Sequence, residues 1–189
     1  MSKAQFSPSV IPPLDPGFQP AILFNRDYVR HAKAAGDSVP LVLGLERENG
    51  LLSRFETVVS PSPDARTLLY VERLVKFLIW SRGGWKLHFG GPAAIGEAIR
   101  KTYSARGARK FDSKMMALAY GRDFEVHVTD AERVPAAKDM EVPAGGHLKG
   151  CRIGFDLGAS DYKVSAVVDG EAVFTEETPW DPKNQADPG

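Results

Sequence analysis

Residues 152–174 read RIGFDLGASDYKVSAVVDGEAVF, and this stretch decides how the C-terminal part of the chain folds. Three β-rich runs alternate with two turns, in the order 152–155, 156–161, 163–168, 169–170 and 171–175. The second turn is Asp169-Gly170, and an Asp-Gly pair between apolar runs is a strong hairpin signal because both positions tolerate positive φ. The stretch therefore predicts an antiparallel β-meander.

The first turn of this meander carries residues suited to binding phosphate. Gly158 and the small Ala159 let a phosphate approach the backbone N–H groups, while Ser160 offers a hydroxyl and Lys163 a positive charge. Asp156, at the end of the first run, can hold a hydrated Mg²⁺. An ordinary hairpin with a polar tip is the alternative interpretation, since short phosphate motifs also occur by chance.

The order Asp-x-Gly-x-Ser-x-x-Lys at the start of a meander resembles the first phosphate-binding motif of the actin-like ATPase superfamily. Within that superfamily, Gly154-Phe-Asp-Leu-Gly-Ala-Ser160 is most similar to the ROK sugar kinases and sugar-responsive repressors. It departs from them where Ala159 replaces a second glycine, Ser160 a threonine, and Lys163 stands three places after the hydroxyl. The lysine spacing is closer to that of hexokinases and glycerol-kinase-type enzymes.

The resemblance extends over most of the chain. Several further segments are similar to long bacterial ROK-type proteins that carry an extra domain before the nucleotide-binding fold: 72–80, 83–85, 90–92, 150–161 and 179–184. The resemblance implies an actin-like, ribonuclease H-like nucleotide-binding domain that uses ATP and Mg²⁺. In that role Asp156 would hold Mg²⁺ through water, and Gly158, Ala159, Ser160 and Lys163 would contact phosphates.

The amino-acid composition limits the classes of protein to which the chain can belong. The chain has 189 residues, of which 43% are hydrophobic and 25% are charged, so it is globular and long enough for one or two cores. Its formal net charge is zero, which implies no bulk attraction to nucleic acid or to an anionic membrane. Neither a signal peptide nor a membrane-spanning run is evident, so we expect a cytoplasmic protein. The single cysteine, Cys151, excludes an intrachain disulfide.

The N-terminal part of the chain predicts helices interleaved with strands. Asn49-Gly50 is the favoured type I′ pair and predicts a hairpin over residues 40–59. Apolar periodicity and flanking glycines predict helices at 25–35, 68–80, 111–120 and after Pro92, with strands at 85–89 and 124–128. The fold class expected is α/β, with α+β possible: a small mixed sheet with helices, followed by the meander.

Five segments follow from these patterns. They are a Pro-rich arm over 1–20, an α/β domain over 21–135, a linker over 136–150, the start of an actin-like domain over 151–178, and a tail over 179–189. Only 26 residues follow Lys163 (189 minus 163), too few for a second phosphate loop, an adenosine-binding segment and a catalytic aspartate. We therefore expect the N-terminal portion of a longer protein, with no catalytic residue in this chain.

Two functions are compatible with these residues. The first is a ROK-type ATP-dependent sugar kinase-like protein, whose complete form binds ATP, Mg²⁺ and a small-molecule sugar. The second is a non-catalytic sugar- or nucleotide-sensing regulatory protein of the same superfamily. Neither implies nucleic-acid or membrane binding, and a homo-oligomer is possible in both.

Other candidate sites are weaker. Gly90-Gly91-Pro92 before a helix could hold an anion at the helix N-terminus, but a tight strand–helix connection is the favoured interpretation. The histidines His31, His88, His127 and His147 lie far apart in the sequence, without metal-ligand spacing. The basic residues between 101 and 110 could touch an anion, although a solvated helix end is more common.

Overall fold

The computed structural model describes residues 9–140 and 146–186. The chain divides into two compact units, Met1–Met140 and Glu141–Gly189. The division falls inside the predicted linker of residues 136–150.

The first unit contains four α-helices and four strands. In chain order they are α1 (Ala21–Ala35), β1 (Val39–Glu46), β2 (Leu52–Val59), α2 (Ala65–Arg82), β3 (Lys86–Gly90), α3 (Ala93–Thr102), α4 (Lys110–Tyr120) and β4 (Glu125–Thr129). Short 3₁₀ turns span Glu48–Gly50 and Ala131–Arg133. These elements confirm the mixed α/β class expected from the sequence.

The sheet of the first unit has the strand order β2-β1-β3-β4, in which only the β3–β4 pair is parallel. Cross-strand partners such as Leu43 and Phe89 share one face of this sheet. All four helices contribute to the core on that face, where Val71, Ile95 and Met116 pack with the strand residues. The unit is therefore a two-layer sandwich of helices on a sheet.

The β1–β2 hairpin turns where the sequence predicts. Asn49 and Gly50 have φ values of 58° and 66°, and the amide of Leu51 donates to the carbonyl of Glu48 across them. Positive φ at both central residues is the requirement of a type I′ turn and explains the choice of Asn-Gly. The turn confirms this local prediction.

Helix ends follow capping chemistry. The carboxylate of Asp64 accepts hydrogen bonds from the amides of Arg66 and Thr67 at the start of α2. Gly36 and Gly121 end α1 and α4 in the left-handed conformation. Helix α1 begins at Ala21, four residues before its predicted start, because the carbonyl of Pro20 already accepts from the amide of Phe24.

The segment after β4 packs on the other face of the sheet. A Cβ on Gly90 would lie 2.4 Å from Cγ2 of Val134, so glycine is required where this segment crosses β3. Leu52 and Lys138 exchange two backbone hydrogen bonds, and Arg47 forms a 2.6 Å ion pair with Asp139. Residues 136–140, which the sequence assigns to the linker, are thus held on the first unit.

The second unit is a three-stranded antiparallel meander in the order β5-β6-β7. Its strands are β5 (Cys151–Leu157), β6 (Asp161–Val168) and β7 (Glu171–Pro179). The predicted meander is confirmed, although its strands are longer than the apolar runs of the sequence. None of the residues described in this unit is buried.

One face of the meander is apolar on β5 and β6, and β7 adds Phe174, Glu176 and Thr178 to that face. Ile153 pairs with Ala166, Phe155 with Val164, and Leu157 with Tyr162, which places these side chains on a common face. The opposite face carries Asp156 and Lys163. The alternation is that of a sheet with one face packed on a core, yet about 70% of Phe155 is exposed.

No helix in residues 9–140 and 146–186 is long and apolar enough to cross a membrane.

Candidate functional site

The predicted phosphate loop connects β5 to β6. The last strand pair is Leu157 with Tyr162, and the amide of Gly158 donates to the carbonyl of Asp161 at 2.9 Å to close the turn. A Cβ on residue 158 would approach that carbonyl oxygen to 2.9 Å, so the backbone passes too closely for a side chain. Gly158 is therefore a structural requirement of the loop.

The loop presents two open backbone amides. Ala159 and Ser160 are exposed and lie between the strands. In the part of the chain that the structure describes, neither N–H group donates a hydrogen bond. Successive free amides in a tight turn are the backbone groups that cradle anions such as phosphate.

The charged side chains beside the loop are mostly acidic. Asp156, Lys163 and Glu177 stand next to one another across the three strands. Nζ of Lys163 lies 3.5 Å from Oδ1 of Asp161 and 3.7 Å from Oε1 of Glu177. The carboxylates of Asp161, Glu177 and Asp156 raise the pKa of Lys163 above its usual value, in that order of effect. One cation is thus surrounded by three anions.

The Ser160 hydroxyl is also engaged, because its Oγ donates to Oδ2 of Asp161 at 3.0 Å. The structure brings the predicted residues together at one end of the meander. It also shows that two further carboxylates, those of Asp161 and Glu177, hold the lysine, and that Asp161 also holds the hydroxyl. Asp161 lies two residues before Lys163 on β6, so strand alternation places both on one face, whereas Glu177 is the β7 partner of Lys163 and depends on the register.

Trp180 completes the loop from the other side. Its Nε1 donates to the carbonyl of Gly158 at 2.8 Å, and its amide donates to the carbonyl of Ser160 at 3.0 Å. Its ring packs edge-on against Tyr162, with centroids 5.9 Å apart. From the sequence, Trp180 belongs to the predicted tail of residues 179–189, whereas in the structure it fixes the shape of the loop.

The donor set suits a cation that arrives with a phosphate. Mg²⁺ keeps several waters and is held in nucleotide sites by one or two carboxylates plus phosphate oxygens. Asp156 and Asp161 supply such oxygens on one face of the sheet, and both are accessible. Within 9–140 and 146–186, no group of three or more His, Cys, Asp or Glu residues could hold a metal ion by itself.

The second candidate anion site has a packing explanation. Gly90 is the last residue of β3 and lies under Val134, and a Cβ on Gly91 would lie 3.0 Å from Cδ1 of Leu41. Both glycines allow close approach of the backbone to neighbouring side chains. This favours the tight strand–helix connection over an anion site.

Two of the histidines meet despite their separation in sequence. His88 and His127 are register partners on β3 and β4, and their ring centroids lie 5.9 Å apart. Nε2 of His88 lies 2.8 Å from Oε2 of Glu46. Among the basic residues between 101 and 110, Arg109 is paired with Glu72 at 2.7 Å and serves the packing of α2.

Comparisons of the chain with protein-family models, curated proteins and solved structures give no match.

Proposed function

We propose that the meander forms the first three strands of an actin-like nucleotide-binding domain, and that its β5–β6 loop binds the phosphates of Mg-ATP. The chain is then the N-terminal portion of a ROK-type ATP-dependent sugar kinase-like protein. The observation that carries the proposal is the pair of free amides at Ala159 and Ser160, placed beside Asp156 at the tip of a tight hairpin.

Each residue has a role in this proposal. The amides of Ala159 and Ser160 donate to phosphate oxygens, and Gly158 allows the tight turn that leaves both without a partner in the described part of the chain. Asp156 holds Mg²⁺ through water, which offsets the repulsion between the nucleotide and the neighbouring carboxylates. Lys163 is exposed, and exposed ion pairs contribute little, so it can leave Asp161 and Glu177 for a phosphate. ATP supplies the phosphoryl group, and Mg²⁺ neutralises its charge.

The alternative function, a non-catalytic sugar or nucleotide sensor, also rests on an observation. Lys163 lies among three carboxylates, so less of its charge is available to stabilise a transferring phosphoryl group. Both functions require phosphate binding by the loop. They differ only in whether transfer follows.

Phosphate binding is tested on the 189-residue chain by following backbone amide NMR signals during titration with Mg-ATP. We expect saturable shifts at Ala159 and Ser160 in the millimolar range, because one loop without an opposing wall binds weakly. We expect neither ATP hydrolysis nor a rise in melting temperature, since stabilisation scales with affinity. Asp156→Asn should remove the Mg²⁺ dependence, and Lys163→Met should weaken binding.

Lys149→Met is the matched control for the lysine variant, because Lys149 is exposed in the same unit but lies outside the loop. Absence of shifts at the loop, or equal weakening by Lys149→Met, would contradict the proposal.

Catalysis is tested separately on the longer protein. There, Asp156→Asn should lower phosphoryl transfer to a sugar by about a hundredfold, because a charge-assisted contact is lost in a desolvated site. A sensor would show sugar or nucleotide binding in the absence of transfer. An Asp156→Asn protein that retains full transfer would exclude the role assigned to this carboxylate.

A further inference from the structure

The first unit carries an apolar groove that the proposed nucleotide function does not use. It lies over the edge strand β2, between α1 and α2, and has a volume of about 920 Å³. Its floor is formed by Val29, Phe55, Leu74 and Phe77. Phe77 is 66% exposed, although it belongs to a helix whose other face is buried in the core. The groove is thus an uncovered part of the helix–sheet layer.

Cations surround this floor. Arg26, Lys33 and Arg73 line the groove, and Lys76 lines the shallower depression that continues along α2 past Phe77. Across the described ranges, none of these four side chains has a carboxylate within ion-pair distance. Nor does any carboxylate line the groove or its continuation among those residues. A chain of zero net charge therefore concentrates unpaired positive charge around one apolar surface.

The arrangement of the cations selects the class of ligand. Arg26, Arg30 and Lys33 follow one another at helical spacing along α1, and the first and last are about 10 Å apart along the helix axis. Arg30 is paired with Asp27, so the available charges lie at the two ends of this row. A lipid with a single anionic headgroup would engage one end of such a row. A helix with acidic side chains at the same spacing would engage both ends while its apolar face filled the groove.

The floor argues against base-specific recognition of nucleic acid. Its side chains are aliphatic and aromatic, and the two hydroxyls within it, on Thr57 and Tyr70, are hydrogen-bonded to each other at 2.9 Å. Few groups remain to read base edges. Residues 1–8 of the chain are also poor occupants on grounds of charge, because they contain Lys3 and no carboxylate.

We propose that the groove between α1 and α2 binds an acidic amphipathic helix of a partner protein. The apolar anchors of that helix pack on Phe55 and Phe77, and its carboxylates face Arg26, Lys33 and Arg73. Burial of the anchors supplies the affinity, and the charges set the orientation and the association rate. This interaction is independent of phosphate binding by the β5–β6 loop.

The test uses the 189-residue chain and a fluorescein-labelled synthetic helix of about four turns. The peptide carries leucine on one face and glutamate at i, i+4 and i+7 along its flank. Fluorescence anisotropy should show saturable binding in the micromolar range that weakens as salt is added. A peptide with lysine in place of glutamate, and one with serine in place of leucine, should each bind at least about tenfold more weakly.

Variants of the protein locate the site. Arg26→Glu with Lys33→Glu should weaken binding about tenfold or more, and Phe77→Ser should do so without altering the salt dependence. Lys101→Glu with Lys114→Glu is the matched control, because it makes the same charge change on exposed positions of α3 and α4. All of these side chains are exposed, and circular dichroism checks that each variant is folded.

Three results would overturn the proposal. They are the absence of saturable binding by the wild-type chain, an equal loss in the Lys101→Glu/Lys114→Glu control, and tighter binding of a single-stranded oligonucleotide of similar length than of the acidic peptide.

Discussion

The two units of this chain form their sheets equally well but cover them very differently. In the first unit, the side chains of Leu41, Val71, Leu87 and Ile95 are completely inaccessible. In the meander, Ile153, Phe155 and Leu157 share a face with Tyr162 and Val164, yet remain largely exposed. Every buried apolar side chain in the described part of the chain lies between Phe24 and Val134.

This difference separates strand pairing from the burial of apolar side chains as contributions to folding. Hydrogen-bonded strand pairing in the meander follows from local turns such as Asp169-Gly170, which need no core. Burial requires a second layer, and in the first unit α1 to α4 supply it. The alternation of apolar and polar residues in the meander is suited to a covered sheet. That pattern agrees with the proposal that the meander begins a larger nucleotide-binding domain.

The largest expected contrast comes from removing one phenylalanine in each unit. Phe89 is fully buried in β3, so Phe89→Ala should lower the free energy of unfolding of the first unit by about 3–5 kcal/mol. Phe155→Ala should change stability by less than about 0.5 kcal/mol, because its side chain is already in water. Urea denaturation, followed by the fluorescence of Trp80 and Trp85, measures the stability of the Phe89→Ala variant. Strand signals in NMR spectra measure the effect of Phe155→Ala on the meander.

A large loss of the meander's NMR signals in the Phe155→Ala chain would show that the apolar face of β5 and β6 is covered in solution. The two units would then not differ in how their sheets are covered.

Removal of an ion pair should also cost more stability in the first unit than in the meander, by a smaller difference than removal of a phenylalanine. Asp27 is buried and its carboxylate pairs with Arg30 and with Arg66, the latter at 2.6 Å. Asp27→Asn should cost about 2 kcal/mol, because a buried charge-assisted hydrogen bond is weakened. In the meander, Lys163→Met removes exposed pairs and should cost less than about 0.5 kcal/mol. Thermal unfolding measures both variants. Equal losses of stability in Asp27→Asn and Lys163→Met would mean that the burial of Asp27 does not strengthen its ion pairs.

Alkaline pH should act on the first unit through Tyr103. Burial is the main cause that raises the pKa of its hydroxyl, which also donates to the carbonyl of Glu72. The neutral form is therefore favoured in the folded state, and the stability it contributes is complete below the ordinary tyrosine pKa. Stability should fall as pH rises above about 10, by about 1 kcal/mol for the first pH unit.

The variant Tyr103→Phe should flatten this alkaline dependence. Tyr120→Phe is the control, because Tyr120 belongs to the same unit and is only partly buried. An unchanged pH profile in Tyr103→Phe would assign the alkaline loss to other groups.

Local features of the fold could be read from the sequence. Asn49-Gly50 predicts the β1–β2 turn, glycines after α1 and α4 mark their ends, and Asp169-Gly170 predicts the β6–β7 turn. These signals work because positive φ and capping are properties of a few consecutive residues. The mixed α/β class follows from the same periodicities.

Contacts between distant residues could not be predicted in this way. The placement of all four helices on one face, the meeting of His88 with His127, and the packing of Val134 over Gly90 depend on strand order. The glycine, hydroxyl and lysine of the candidate loop are visible in the sequence. The pairing of Lys163 with Glu177 and the closure by Trp180 depend on contacts between strands.

Amide hydrogen exchange tests the contrast between the two units most directly. In the first unit, amides of β1 and β3 such as those of Leu43 and Phe89 should exchange only through global unfolding, because their side chains lie in a closed core. Amides of β5 and β7 should exchange orders of magnitude faster, since no residue of either strand is buried in the described part of the chain. Protection of Phe155 equal to that of Phe89 would contradict the account, because it would require a cover over the meander.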